Sequence, residues 1–214
     1  MQYKQKMALD PTYLYKGAIR GVIHIGAHMC EERSYYLDTL GLTDQDIVWI
    51  EGSPETAAKS RVQNLSSIIL HGLCSNKDND VANFMVASFS QSSSLLSFGT
   101  HLQEHPWVQT AGYQQIKTIK LDTLLKPFDM RKFNMINIDV QGAEKMVLEG
   151  GTETLKYIDY INSEVNEAEL YKGCCLLPDF DAFLQSHGFT RVSTEMSEHK
   201  WGDALYVRDH LVKK

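Results

Sequence analysis

The sequence has few cysteines, and their spacing fits neither a disulfide framework nor a zinc site. Cys30, Cys74, Cys174 and Cys175 form no C-x-x-C motif, and the only close pair is directly adjacent in the chain. Disulfide-rich secreted domains and structural zinc sites need cysteines at regular spacings, so the sequence excludes both classes. The thiols are expected to be reduced, which favours a cytoplasmic protein.

The sequence also lacks an excess of basic residues and a long apolar segment. Lys and Arg number 21 against 27 Asp and Glu, which gives a formal net charge of −6 and a pI near 5.7. Nucleic acids and anionic membranes bind basic surfaces, so neither is an expected partner. The start of the chain has no apolar signal core, and no stretch reaches the roughly 18 uninterrupted apolar residues of a membrane helix. We therefore expect neither classical secretion nor a membrane span.

The composition is that of a globular domain. The chain has 214 residues, of which 43% are hydrophobic and 22% charged, enough to bury one full core. Residues 1–20 are mixed in character and contain Pro11 and Gly17, so we predict an N-terminal arm there. Residues 21–214 are predicted to form a single domain.

Apolar runs alternate with helical segments along this domain. The predicted strands are residues 21–25, 47–50, 67–70, 81–86, 116–119, 134–139, 158–164, 189–193 and 204–207. The predicted helices are residues 31–40, 54–62, 121–125, 142–148 and 178–187. Such alternation predicts an α/β fold with a doubly wound, mostly parallel, Rossmann-like sheet, and the last two strands predict a terminal antiparallel hairpin. Residues 88–112 are rich in serine and have no clear period, so a long loop is expected there.

In doubly wound sheets, ligands bind beyond the carboxyl ends of the strands. Gly26 follows the first strand and begins a tight turn into a helix. Glu51 ends the second strand about 25 positions later, which is close to the spacing at which an acid accepts hydrogen bonds from ribose hydroxyls. Its alternative role is a charge at the start of the next helix. The pattern favours a nucleotide-like cofactor.

Two further acids end strands in the second half of the chain. Asp139 and Glu164 are expected at the ends of neighbouring strands, where their carboxyl groups lie close enough to share a metal ion, a proton or a sugar hydroxyl. Acids in these positions also serve as simple N-caps of the helices that follow. The sequence leaves both roles open.

Several motifs together resemble the FkbM-type methyltransferases. They are VIHIGAH at residues 22–28, EGSPE at 51–55, IKLDTL at 119–124, INIDVQGAE at 136–144 and SEVN at 163–166. The resemblance extends over roughly residues 20–208. It implies the seven-stranded sheet of class I methyltransferases, S-adenosylmethionine as the cofactor, and methylation of a hydroxyl group, often on a sugar or a polyketide.

The resemblance also implies roles for individual residues. The cofactor-binding residues it implies are Gly26, Ala27 and His28 in the loop, Glu51 at the ribose, Ser53 and Ser75 near the adenosine, and Asp139 at the methionine end. Two positions depart from the usual pattern. His24 stands where many methyltransferases have Asp, and Cys30 stands where the loop often has its last glycine.

Methyl transfer to a hydroxyl needs an aligned acceptor and a group that removes the hydroxyl proton. We rank Asp139 with Glu164 first as the base and His28 second. A divalent cation, magnesium or manganese, is the alternative, with Asp139 and Glu164 as its ligands and Asn166 completing the site.

Polar and aromatic residues elsewhere are candidates for holding the acceptor. They are His101, His105, Trp107, Gln141, Asn166, Trp201 and Asp203. Tryptophan stacks on sugar faces and the polar groups fix hydroxyls. A tryptophan that closes the edge of the domain is the structural alternative.

The predicted function is S-adenosylmethionine-dependent O-methylation, on a sugar of a glycan or glycoconjugate, with a polyketide or another small metabolite as the alternative acceptor. A nicotinamide-dependent dehydrogenase needs glycines at the first, third and sixth positions of the turn. Those positions hold Gly26, His28 and Glu31, so one of three fits. A non-catalytic Rossmann-like binding module is the remaining class.

Overall fold

The computed structural model describes residues 10–213, which form ten β-strands and seven α-helices. The strands are β1 (Val22–Ile25), β2 (Ile47–Glu51), β3 (Ile68–His71), β4 (Leu73–Cys74), β5 (Val81–Ala87), β6 (Thr110–Ile119), β7 (Met135–Ile138), β8 (Tyr160–Asn166), β9 (Phe189–Met196) and β10 (Trp201–Arg208). The helices are α1 (Arg33–Asp38), α2 (Pro54–Gln63), α3 (His101–Glu104), α4 (Leu121–Leu124), α5 (Glu144–Glu149), α6 (Thr152–Leu155) and α7 (Leu177–Ser186). No helix in this part of the chain is both long and apolar enough to cross a membrane.

Seven strands form the main sheet in the order β3-β2-β1-β7-β8-β10-β9. The pairs from β3 through to β8 are parallel, whereas β10 runs antiparallel to both β8 and β9. The central strands are buried along their whole length, as expected for parallel strands covered on both faces. This arrangement confirms the predicted doubly wound, mostly parallel sheet with a terminal antiparallel hairpin.

Side chains of the main sheet alternate between two apolar cores. Ile23 and Ile25 of β1 pack in the core that also contains Leu148 and Leu184 from α5 and α7. Val22 faces the opposite core, which contains residues of α1. The period of two along a strand therefore places neighbouring residues on opposite faces of the sheet.

Part of the predicted N-terminal arm lies within the described residues. Tyr13, Leu14 and Ile19 are buried in the second core, beside Trp49 and Leu205. Residues 1–9 of the arm lie outside the described part of the chain. The arm segment at residues 10–20 thus packs on the face of the sheet that carries α1.

The middle of the chain departs from the sequence prediction. The strands predicted at 81–86 and 116–119 form a separate three-stranded sheet, in the order β4-β6-β5, and β6 begins at Thr110. Exposed and buried positions alternate along β6, as in antiparallel strands with one wet face. Alternation in the segment TAGYQQ is weak because its inward positions are small or polar, which explains why the strand was predicted too short.

Candidate active site

The turn after β1 packs directly against the end of β7. Gly26 adopts φ +88°, and a Cβ atom there would lie 1.7 Å from the backbone oxygen of Asp139. Only glycine fits such a close approach at a positive φ. The turn therefore brings the loop at residues 26–30 and the carboxyl group of Asp139 to one edge of the sheet.

Two neighbouring cavities lie at this edge. The larger has a volume of about 330 Å³ and the smaller about 60 Å³. They share the lining residues Gly26, His28, Gln91, Asp139 and Gln141. Small-molecule sites are typically about 300–1,000 Å³, so the larger cavity is of ligand size and the smaller one is not.

Glu51 lies in the wall of the smaller cavity and is buried. Its carboxylate accepts hydrogen bonds from the backbone N–H of His28 at 2.8 Å and of Ser53 at 2.7 Å. Burial raises the pKa of Glu51, and the two N–H donors oppose that rise. The helix that follows begins at Pro54, with the Ser53 hydroxyl accepting from the Thr56 N–H as its N-cap. Glu51 is thus fixed by donors rather than by a cation.

We call residues 90–95 the serine segment. All of them except Ser92 line the smaller cavity, which Glu51 also lines, and Ser92 lines the larger one. The Ser90 hydroxyl lies 2.8 Å from His28 Nε2, and the Gln91 amide donates to Glu31 at 3.2 Å. The Ser94 hydroxyl donates to the backbone oxygen of Gln141 at 2.7 Å. These bonds hold the segment against the turn after β1, which accounts for the small volume of the cavity.

Gln141 bridges the two acids that the sequence predicted to lie together. Its amide Nε2 donates to Asp139 Oδ1 at 2.6 Å and to Glu164 Oε2 at 2.8 Å. The Tyr171 hydroxyl donates to the Gln141 side-chain oxygen at 2.5 Å. Gln141 has φ +59°, a conformation that is uncommon outside glycine. Its position between the acids therefore requires a strained backbone.

Burial makes these acids weak. It raises the pKa of Glu164 well above its ordinary value, and the nearby charge of Asp139 adds to the rise. The pKa of Asp139 is also raised, again mainly by burial. Two coupled carboxyl groups of this kind release their protons in two steps that belong to the pair. The pair can therefore hold or accept a proton near neutral pH.

A third acid joins this pair from α5. Glu144 has one carboxyl oxygen within 4.8 Å of oxygens of Asp139 and Glu164. Burial raises the pKa of Glu144 to about 7. Its Oε1 atom accepts from the backbone N–H groups of Val140 and Gly142, each at 3.0 Å. Glu144 therefore closes the turn after β7, and the three oxygens have the spacing of a possible cation site.

Acids also extend across the hairpin. Asp203 on β10 lies directly opposite Glu164 on β8 and opposite Glu195 on β9. All three line the larger cavity, and we call them the carboxyl stripe. Burial raises the pKa of Asp203 to about 8, and the charge of Asp139 contributes.

His28 is fully engaged by hydrogen bonds. Its Nδ1 atom lies 2.6 Å from Glu31, and its Nε2 atom contacts Ser90. Burial lowers the pKa of His28, but the hydrogen bond and charge of Glu31 outweigh that effect and raise it overall. Because Glu31 and Ser90 already engage both ring nitrogens of His28, the carboxyl pair is the better candidate for the base.

The two positions that depart from the family pattern are structural in this chain. Burial lowers the pKa of His24 to about 3, so its ring is neutral, and it contacts the Tyr36 hydroxyl at 2.9 Å. Cys30 adopts φ +63°, the conformation in which the usual glycine would be favoured, and its thiol lies 3.3 Å from the Ser60 hydroxyl. Neither residue lines a cavity.

Aromatic and histidine side chains form the far wall of the larger cavity. His101 stacks on Phe98 with ring centroids 4.4 Å apart, and His105 lies 5.3 Å from Trp107. Trp107 is 63% exposed at the rim, whereas His101 is buried. Burial lowers the pKa of His101 to about 4, so the ring is neutral.

The structure brings most of the predicted residues to the two cavities. Those that line one or both are Gly26, His28, Glu51, His101, His105, Trp107, Asp139, Gln141, Glu164, Trp201 and Asp203. Ala27, Ser53, Ser75 and Asn166 line neither. Ala27 packs in the second core, and its N–H donates to Ile50. The predicted ligand contacts of these four remain predictions.

Sequence reasoning missed several residues of the site. Tyr171, Glu144 and Glu195 were not candidates, although all three contact or line the acidic end of the cleft. Glu144 is the last residue of the motif INIDVQGAE, so the motif was the one sequence feature that could have identified it. Glu195 faces the cavity because of the register of the β9–β10 hairpin, and Tyr171 lies in the irregular segment after β8. No local sequence pattern therefore marks either residue as part of the site.

Comparisons with known proteins agree with the fold. A family model described as the methyltransferase FkbM domain matches residues 24–191. The chain is 33% identical over 118 residues to the 2-O-methyltransferase NoeI of Sinorhizobium fredii, a match covering 52% of this chain and 46% of that protein. It is 34% identical over 74 residues to the hexuronic acid methyltransferase AglP of Haloferax volcanii, covering 35% and 29% respectively. Both matches span less than half of the relative.

A solved structure has the same fold at low sequence identity. The methyltransferase FkbM from Methylobacillus flagellatus KT matches with a TM-score of 0.51 and 14% identity. The match covers 87% of this chain and 43% of that one. At this identity the likeness establishes the fold alone.

Proposed function

The chain belongs to the FkbM methyltransferase family, and from this premise we propose that it transfers a methyl group from S-adenosylmethionine to a hydroxyl group of a sugar. The observation that carries the proposal is the pair Asp139 and Glu164. These two acids share the Gln141 amide at the point where the two cavities meet. Family membership argues against the dehydrogenase and the non-catalytic module.

The residues at the strand ends fit the cofactor. Gly26 has no side chain to obstruct the close approach of backbone beside the cleft, and Glu51 offers a carboxylate to ribose hydroxyls. We assign the adenosine to the smaller cavity and the methionine part to the junction at His28 and Asp139. When bound, S-adenosylmethionine supplies a methyl group on positively charged sulfur, and the carbon–sulfur electron pair stays on sulfur as the methyl group leaves.

Glu164 and Asp139 then act on the acceptor. In the proposed step, the carboxylate of the pair takes the proton of the acceptor hydroxyl while the hydroxyl oxygen forms its bond to the methyl carbon. Gln141 holds the two carboxyl groups in place through its amide, and Tyr171 fixes Gln141. Because the pKa values of Asp139 and Glu164 are both raised, the pair can hold one proton and still offer a carboxylate that accepts the proton of the acceptor hydroxyl.

A direct base is favoured over a divalent cation. The Gln141 amide already donates to Asp139 and Glu164, and Glu144 accepts from two backbone N–H groups. A cation would have to displace the amide and recruit further oxygen ligands. A chelator is therefore expected to leave turnover unchanged; loss of activity that magnesium or manganese restores would establish the cation route instead.

The acceptor is proposed to be a sugar in a glycan or glycoconjugate. Two curated relatives are described as a 2-O-methyltransferase and a hexuronic acid methyltransferase. The larger cavity, of about 330 Å³, combines carboxyl groups with Trp107 and Trp201 in its walls. Carboxyl groups bind sugar hydroxyls, and aromatic rings stack on sugar faces. The four free cysteines are consistent with the cytoplasmic location we expect.

Transfer of an isotopically labelled methyl group tests this proposal. The purified protein is incubated with labelled S-adenosylmethionine and an array of defined glycans, and the products are analysed by mass spectrometry after hydrolysis. We expect label as a methyl ether on a sugar hydroxyl. Label on nitrogen, or on no glycan while a non-sugar hydroxyl compound is methylated, would contradict the assignment.

A further inference from the structure

We propose that the acceptor group held in the larger cavity is a sugar without an anionic substituent, and that the carboxyl stripe of Glu164, Asp203 and Glu195 excludes uronates and sulfated or phosphorylated sugars. This inference rests on the proposed function and narrows its substrate class.

The register of the hairpin places the three carboxyl groups in one row. Asp203 is the direct partner of Glu164 across the β10–β8 pair and of Glu195 across the β10–β9 pair. Residues directly opposite each other in antiparallel strands have Cβ atoms about 4.5–5.5 Å apart on the same face of the sheet. The row therefore presents three acids side by side to the ligand.

No unpaired cation among residues 10–213 balances this row, because the His28 ring that lines the same cavity is paired with Glu31 at 2.6 Å. No lysine or arginine of the described chain lines the larger cavity, and Glu31 and Glu32 add two more acids to its wall. The side-chain carboxyl groups of Asp203 and Glu195 have no hydrogen bond or ion pair within residues 10–213. An anionic substituent would therefore meet carboxyl groups with no compensating charge.

The histidines across the cavity do not supply the missing positive charge. His101 is buried and neutral, and its Nδ1 atom has no hydrogen-bond partner among the described residues. His199 does not line the cavity and is paired with Glu104 at 2.9 Å. A buried ring nitrogen without a partner costs free energy unless a ligand satisfies it, and a neutral hydroxyl group can do so from either tautomer.

The same row is well suited to neutral sugars. Hydroxyl groups donate to carboxyl oxygens whether the acid is ionised or protonated, because a free lone pair remains in both forms. An ammonium substituent would gain from the charge as well. Like charges placed directly opposite each other destabilise a sheet, so the row has a cost to folding that a hydroxyl-rich ligand would relieve.

This specificity would separate the chain from one of its relatives. The Haloferax volcanii relative is described as a hexuronic acid methyltransferase, and its match covers 35% of this chain. Recognition of a hexuronate calls for a cation or a neutral donor where this chain has acids. The two proteins are thus expected to differ at the acceptor while sharing the cofactor end.

Matched sugars provide the test. The protein saturated with S-adenosylhomocysteine is titrated at pH 9, where Asp203 with its pKa of about 8 is ionised, with the p-nitrophenyl β-glycosides of glucose, glucosamine and glucuronic acid. Binding is followed by ligand-observed NMR. The glucuronide is expected to bind about tenfold more weakly than the glucoside, because its carboxylate meets uncompensated acids. The glucosaminide should bind at least as tightly as the glucoside.

Charge reversal at the exposed end of the row sharpens this test. Glu195→Lys is expected to bring the glucuronide close to the affinity of the glucoside. Glu198→Lys makes the same change of net charge in the hairpin turn, outside the cavity, and should leave the tenfold preference intact. A general effect of net charge would shift both variants equally and would overturn the proposal.

The outcomes distinguish this inference from the proposed function. Equal binding of glucuronide and glucoside would overturn the inference, and so would failure of all three sugars to bind a protein that still binds S-adenosylhomocysteine. The proposed function fails separately, if the glycan array receives no methyl ether. Methyl transfer to a uronate as fast as to its neutral counterpart would refute the inference and leave the proposed function standing.

Discussion

The acids at the two ends of the cleft differ in number and in their hydrogen-bond partners. At the β2 end, a single carboxylate, Glu51, accepts two backbone N–H groups and is held in one place. At the other end, Asp139, Glu164 and Asp203 crowd together, and the Gln141 amide serves two of them. The first end therefore holds one carboxylate in a fixed position, whereas the second groups carboxyl groups whose pKa values are raised.

This difference follows from how each end is assembled. The turns after β1 and β2 are local, so a short stretch of sequence decides their geometry. The acidic end combines β7, β8 and the β9–β10 hairpin, which are far apart in the sequence and meet through strand pairing. Substitutions at the two ends should separate binding of the cofactor from chemistry on the acceptor.

The largest effect is expected from Glu164→Gln. The amide keeps the shape of the side chain but cannot accept a proton, and general bases contribute about 10²–10⁴ in rate. We expect turnover to fall by at least about 100-fold while the dissociation constant for S-adenosylmethionine changes by less than about threefold. Single-turnover kinetics and calorimetric titration measure the two quantities.

Glu198→Gln, in the hairpin turn outside the cavity, is the matched control for Glu164→Gln and should retain normal turnover. Near-normal turnover of Glu164→Gln would show that the carboxyl pair is structural. In that case His28 would be the next candidate for the base.

The opposite pattern is expected for Glu51→Gln. The substitution removes the charge and one of the hydrogen-bond acceptors offered to ribose, so affinity for S-adenosylmethionine should fall about tenfold. Turnover at saturating cofactor should stay close to normal. Glu55→Gln, on the exposed start of α2, is the control and should bind normally. Unchanged affinity in a Glu51 variant that remains folded would remove Glu51 from the cofactor site.

A smaller effect is expected from Tyr171→Phe. The substitution removes the hydroxyl that donates to Gln141 and so loosens the amide between the two acids. Turnover should fall about fivefold, with the KM for the acceptor unchanged and the pH–rate profile displaced, since positioning residues act through the groups they hold. Tyr113→Phe changes an exposed tyrosine on β6 and should alter neither quantity. A fall in thermal stability without a displaced profile would indicate packing alone.

The smallest effect concerns stability and pH. The pKa of Glu144 is about 7 in the folded protein against an ordinary value of 4.5, mainly because the group is buried. Between these values the folded protein keeps a proton that the unfolded chain has lost, so the free energy of unfolding falls as pH rises. Glu144→Gln cannot titrate, and should gain on the order of 1 kcal/mol relative to the natural protein between pH 5 and pH 8.

Urea unfolding at the two pH values measures this change. Glu153→Gln, an exposed position on α6, is the control and should follow the natural protein. A constant difference between Glu144→Gln and the natural protein across this range would mean that Glu144 titrates normally in the folded state.

The sequence was most informative where the chain is locally regular. The apolar runs at β1, β2 and β7 predicted buried parallel strands. Asp139 and Glu164 were predicted to lie close together, and the Gln141 amide donates to both, while their shared role stays a prediction. In each case a few neighbouring residues carry the information. Pro54 likewise predicted the start of α2 to the residue.

Residues whose positions depend on distant pairing were less predictable. Met85, Phe98, Val108 and Tyr171 form a small core beneath the region expected to be a long loop. Its members come from strands, a helix flank and a turn, so no period of two or 3.6 residues reveals it. Glu195 reaches the cavity only through the β9–β10 register, which includes an irregularity between Leu205 and Tyr206 that the sequence does not signal.

The serine segment has a consequence for the speed of cofactor capture. The smaller cavity has a volume of about 60 Å³ while Ser90 contacts His28. If the adenosine binds there as we propose, this contact must open before the adenosine enters. The observed association rate should then rise with S-adenosylmethionine concentration and level off at the rate of opening. Closure of the segment afterwards would lengthen the residence time of the cofactor without any further contact to the acceptor. Ser90→Ala, which removes the contact, should raise the plateau seen in stopped-flow measurements and shorten that residence time.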